Sequence, residues 1–176
     1  MKKSFSFLAL LGLLIPLNAC EEPIKINNSP IPELELKRYL GSWYEIARFD
    51  HVFERGRDNC TAFYSLNDDG TIRVENTGWK GDKKSVSIGK AKTTPIPALL
   101  RVSFFGPFYG DYRVMMLDND YTVALVGGSS DKYLWILSRT PELTDTVKQS
   151  VLAEAQRRGY NTTQLIWVDQ SKHIQQ

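Results

Sequence analysis

From Trp43 to Ser138 the sequence breaks into eight short runs rich in Val, Ile, Tyr, Phe and Trp, with a turn signal roughly every ten residues. The runs occupy 43–49, 60–66, 71–79, 85–91, 98–104, 112–118, 121–127 and 132–138. Extended backbone sends successive side chains to opposite faces, and runs this short and this closely spaced pair as antiparallel neighbours joined by hairpins. Asp68-Asp69-Gly70 and Asn119-Asp120 supply two of the tight turns. An open sheet of eight strands has two edges that invite pairing with other chains; closure into an up-and-down barrel removes both and leaves room for one small ligand. A two-layer sandwich uses the same alternating strands, so spacing does not separate the two architectures. The period then changes. Val147, Val151, Leu152 and Ala155 recur at helical spacing, Thr144 can cap the start and Gly159 can end it, which predicts one amphipathic helix. A last run, Gln164 to Val168, alternates again and predicts a short final strand at an edge.

The N-terminal end carries different information. Residues 1–19, MKKSFSFLALLGLLIPLNA, have two lysines and then an apolar core too short to span a bilayer, the pattern of a secretory signal peptide. The letters Leu17-Asn18-Ala19-Cys20 resemble the bacterial lipoprotein box, which implies that Cys20 is lipidated and becomes the mature N-terminus. Glu21 follows it rather than aspartate, and by lipoprotein sorting rules this implies an outer-membrane anchor facing the periplasm. Residues 20–33 hold Pro23, Pro30 and Pro32 and read as the lipidated N-terminus plus an extended tether, leaving 34–176 as a single domain. With Cys20 carrying lipid, Cys60 has no partner within the chain. Charge narrows the partner class. The chain has 22 Lys and Arg against 20 Asp and Glu, and Lys2 and Lys3 lie in the leader, so the mature protein is formally neutral and lacks the basic excess that nucleic acid demands.

Three motifs in order carry a resemblance. Gly41-Ser42-Trp43-Tyr44-Glu45 opens the first strand, Gly110-Asp111-Tyr112 opens the sixth, and Arg139 closes the eighth in ILSRTP. Together they resemble the lipocalin family, and the runs LGSWYEIARFDHVFERG, RVSFFGPFYGDY and YLWILSRTP resemble its bacterial outer-membrane members over residues 36–169. The resemblance implies an all-β, eight-stranded antiparallel barrel with one C-terminal helix packed outside and a short final strand. It also implies structural roles: Trp43 plugs the closed end, Arg139 lies across its ring, and Gly41 and Asp111 belong to the same framework. The implied ligand is a fatty acid, lysophospholipid or similar amphiphile, for lipid storage, transport or envelope maintenance under stress, and a homodimer is compatible with it.

The lipocalin pattern also fixes which parity faces inward. Strand two then turns Cys60, Ala62 and Tyr64 inside, strand three Val74 and Asn76, strand five Leu100, Val102 and Phe104, strand six Tyr112, Val114 and Met116, and strand eight Tyr133 and Trp135. That lining is aliphatic and aromatic, suited to an acyl chain. The stretch FFGPFYGDY packs five rings around a Gly-Pro turn. In an up-and-down barrel the loop after strand five shares one end with the loop after strand one, which gathers Phe105, Phe108 and Tyr109 with His51, Arg55 and Arg57 at the expected mouth. There rings can touch tails and guanidiniums can meet phosphate or carboxylate heads. A rival reading has a barrel filled by its own side chains and an aromatic rim that binds a protein. Catalysis finds no support in the motifs: Asp50-His51 has no Gly-x-Ser-x-Gly elbow, the histidines His51 and His173 lack metal-ligand spacing, and no cofactor is implied.

Overall fold

The structure, a computed structural model, describes residues 25–174; the expected signal peptide and Cys20 lie outside the described residues. Eight strands follow in chain order: β1 (Gly41–Arg48), β2 (Asp58–Leu66), β3 (Ile72–Lys80), β4 (Lys83–Thr93), β5 (Leu99–Phe105), β6 (Phe108–Leu117), β7 (Val123–Gly127) and β8 (Leu134–Ser138). Each pairs antiparallel with its neighbour, and β1 pairs with both β8 and β2, so the sheet closes into a barrel. A sandwich is excluded by that closure. The short strand β9 (Ile166–Trp167) adds to β1 at Ala47 and Arg48, on the side that β2 leaves after Tyr44↔Thr61. The predicted helix is α2 (Asp145–Arg157), with Thr144 Oγ1 accepting from the Val147 amide and Gly159 at φ 88° just beyond its end.

Two short helices have no counterpart in the periodicity: α1 (Leu36–Tyr39) and α3 (Ser171–Ile174). The first crosses the closed end of the barrel and buries Tyr39. There Trp43 is 1% exposed, and the Arg139 guanidinium lies 3.8 Å from its ring centroid. The same guanidinium donates to the carbonyls of Ser42, Arg38, Tyr39, Leu40 and Tyr121. Gly41 sits at φ +95°, and a Cβ there would stand 3.4 Å from Arg139 Nη1, so glycine suits both the backbone and the arginine.

Apolar side chains divide into two groups. One fills the lower barrel around Trp43, Tyr39, Ile72, Val114 and Leu137; the other, with Ile46, Met115, Leu125 and Ile136, lies between the outer wall and Val151 and Ala155 of α2. Two irregularities in strand pairing set this division. The register shifts between Glu45 and Ala47 on β1, and between Val114 and Met116 on β6.

Residues 25–33, the described part of the expected extended tether, are held against the barrel. Asn27 N donates to Arg158 O (2.8 Å), Asn28 Nδ2 to Gly128 O (3.0 Å) and Ile31 N to Val114 O (2.9 Å). The buried Arg158 guanidinium donates to the Asn27, Ser29 and Met115 carbonyls and, through Nε, to Glu154 Oε1 at 2.7 Å. Pro30 and Pro32 made this segment look unstructured, but its amides and carbonyls find tertiary partners that composition does not reveal.

Candidate functional site

The barrel encloses a cavity of about 790 Å3, within the size range of small-ligand sites. The barrel is therefore not filled by its own side chains. Period-two alternation puts Tyr64, Val74, Asn76, Leu100, Val102, Phe104, Tyr112, Tyr133 and Trp135 on its wall, together with Cys60. Glycines make some of this room: a Cβ on Gly78 would come within 3.0 Å of Cys60 Sγ. Ala62 and Val114 point into the barrel as expected but belong to the packed core and are not on the cavity wall.

Met116 is a correction. The bulge on β6 gives Val114 the inward face and sends both Met115 and Met116 to the outer cluster beneath α2, after which Leu117 points in again. Strict alternation fails at an inserted residue.

At the mouth, the loop Phe49 to Arg57 and the Phe105–Phe108 turn share one end of the barrel, and His51, Arg57, Phe105 and Phe108 line the opening. Phe105 and Phe108 are 71% and 79% exposed, and Phe53 joins them at 69%. Two residues of the expected mouth lie elsewhere. Tyr109, one residue out of phase with Phe108, turns away from the cavity and takes the Lys92 ammonium 4.9 Å from its ring centroid. Arg55 is exposed and engaged by Asp50, Nη2 to Oδ2 at 2.7 Å, and does not line the cavity. Asp111 is on the wall and holds Arg113 at 2.7 Å and Arg101 at 3.2 Å.

A polar cluster on the upper wall was not foreseen. Glu45 shares the parity of Trp43, so its inward position was readable from the strand; Arg48 faces in only because the β1 bulge reverses the phase after it. Arg48 Nη1 donates to Glu45 Oε1 (2.7 Å), and Nη2 donates to the carbonyls of Glu54 (2.8 Å) and Arg57 (3.0 Å). Trp135 Nε1 donates to Glu54 Oε2 at 3.2 Å, and His51 Nε2 stands 3.0 Å from the same oxygen, off the line of a good hydrogen bond. Burial and then the nearby Glu54 charge push the Glu45 carboxyl up to about 8, against the pull of Arg48. Burial also raises Glu54, but His51, Trp135 and Arg48 outweigh it and hold that carboxyl below its ordinary value. The Cys60 thiol, pushed up to about 12 by burial and Glu45, stays protonated and behaves as a small hydrophobe. Among the described residues, no three His, Cys, Asp or Glu side chains gather as a metal ion would need.

Comparison with known proteins agrees with this architecture. The family model described as a lipocalin-like domain matches residues 34–170. The chain is 52% identical over 157 residues to the outer membrane lipoprotein Blc of Citrobacter freundii, covering 86% of this chain and 89% of that protein. It is 41% identical over 172 residues to the Blc of Vibrio cholerae, covering 93% and 97%. Among solved structures, insecticyanin from the tobacco hornworm Manduca sexta superimposes with a TM-score of 0.67 at 19% identity, over 80% of this chain and 83% of that one.

Proposed function

The chain belongs to the lipocalin family, and we propose that it is an outer-membrane-anchored carrier of a fatty acid, lysophospholipid or similar single-chain amphiphile. The observation that carries this reading is the open cavity of about 790 Å3, walled by aliphatic and aromatic side chains and entered past Phe53, Phe105 and Phe108. An acyl tail leaving water for such a wall gains about 0.8 kcal/mol per buried methylene. The head group stays at the rim, where Arg57 and the Glu54–His51 pair supply charge and hydrogen bonds. The anchor is Cys20, and the relatives named outer membrane lipoproteins support the same location for this chain; the face toward the periplasm follows from Glu21. Lipid storage, transport or envelope maintenance is the role that fits a carrier held at a membrane.

The test is to extract the protein from its native membrane in mild detergent, strip the surface lipid and identify by mass spectrometry what remains. One single-chain lipid class, near one molecule per barrel, is the expected result. A barrel that comes out empty and also fails to take up a fluorescent fatty acid would sink the proposal and leave protein binding at the aromatic rim as the reading to pursue.

A further inference from the structure

At the floor of the cavity three phenol hydroxyls meet. Tyr112 Oη lies 2.6 Å from Tyr39 Oη and 3.1 Å from Tyr64 Oη, and all three residues line the cavity. Their positions are fixed by packing: the Tyr39 and Tyr64 rings stack at 5.9 Å and 10°, and Tyr112 meets both edge-on. A phenol has one hydrogen to donate. Three hydroxyls joined by two hydrogen bonds use two hydrogens, so one is left over whichever way the chain of bonds runs. Among the described residues, no further acceptor lies within hydrogen-bond distance of these three oxygens.

The surroundings give that donor its force. Leu36, Leu40, Ile72, Val74 and Leu100 form the wall around it, and an unpaired hydroxyl in such a setting is costly. Burial raises the pKa of all three phenols, which therefore remain neutral donors throughout the physiological range. Arg139 stands behind the ring of Trp43 with its N–H groups spent on backbone carbonyls, so it has no free donor to offer an incoming anion directly.

We propose that this floor recognises a neutral oxygen acceptor, a ketone or hydroxyl, carried at the buried end of the ligand's chain. The inference rests on the proposed binding of a single-chain amphiphile in the cavity and narrows its class: the chain is oxygenated near its terminus rather than a plain hydrocarbon tail. A single preset donor suits a neutral acceptor. A carboxylate would lose its hydration for one hydrogen bond and no ion pair in direct contact.

The experiment compares hexadecanoate with 16-hydroxyhexadecanoate, and dodecanoate with 12-hydroxydodecanoate, on the delipidated protein by calorimetry. In the native protein the terminal hydroxyl should strengthen binding, by about threefold. In the triple variant Tyr39→Phe, Tyr64→Phe, Tyr112→Phe it should weaken binding by about tenfold or more, because the hydroxyl then enters an apolar floor unpaired. A measurement free of variants uses a 13C-labelled 15-oxo-hexadecanoate: its bound ketone stretch should lie at the hydrogen-bonded position, below that in alkane. An alkane-like ketone band, or equal ratios in the native protein and the triple variant, would overturn this inference and leave the amphiphile proposal standing. Failure of every probe to bind would remove both together.

Discussion

Glu45 shows how one side chain can set a property of the whole fold. Its carboxyl, buried beside Glu54 and held by Arg48, titrates near 8 in the folded protein against an ordinary value of 4.5. A raised folded value means that the native state holds its proton where the unfolded chain has lost it. Stability from this group is thus complete below about 4.5 and drains away as pH rises toward 8. We expect the melting temperature to fall between pH 5 and pH 8, and Glu45→Gln to flatten that slope. Glu54 and Glu154, held below their ordinary values, act in the opposite direction and in a more acidic window, and Cys60 titrates too high to contribute. An unchanged slope in the variant, followed by circular dichroism, would show that Glu45 is ionised in the native state.

Among the elements, the two bulges and the N-terminal segment matter most. The bulge on β1 places Glu45 and Arg48 on the same inner wall, and the bulge on β6 frees the Met115 carbonyl that Arg158 binds. Arg158 stands at the end of α2, so one guanidinium ties helix, strand and residues 27–29 together. Removing it leaves buried carbonyls without donors, and Arg158→Ala should cost about 2–4 kcal/mol in urea unfolding. The more specific readout is hydrogen exchange. The amides of Asn27 and Ile31 should exchange at least tenfold faster while those of β3 and β4 keep their rates. Equal protection of Asn27 and Ile31 in the variant would mean that the backbone bonds of Asn27 and Ile31 and the Asn28 side chain hold the segment without the guanidinium.

For the molecule as a whole, the barrel separates a sealed end from an open one. Trp43, Tyr39 and Arg139 close the first, and the apolar side chains of Phe53, Phe105 and Phe108 stand in water around the second. Exposed rings contribute little to stability but much to the first contact with a chain or a bilayer. Phe108→Ser should therefore slow uptake of a fluorescent fatty acid from vesicles severalfold while changing stability by less than about 0.5 kcal/mol. Native uptake rates in that variant would assign the rim another task.

The strands, the helix and the closed end were legible because each rests on local chemistry. Period-two runs make strands, Thr144 and Gly159 bound a helix, and the spacing of Gly41, Trp43, Asp111 and Arg139 resembles a known framework. Much of the inner wall followed from parity, which holds for Tyr64, Val74, Leu100 and Tyr112. Parity was lost at the bulges on β1 and β6: Met116 turned outward and Arg48 inward, because a bulge is a compromise between paired strands and leaves no mark on either sequence alone. Tyr39 escaped notice because it comes from α1, whose four residues are too few to show a period. Arg55 and Tyr109 were placed at the right end of the barrel but take partners, Asp50 and Lys92, that draw them away from the opening. Alternation is a property of the chain, whereas the choice of partner for a charge, a carbonyl or a phenol depends on residues that only folding brings within reach.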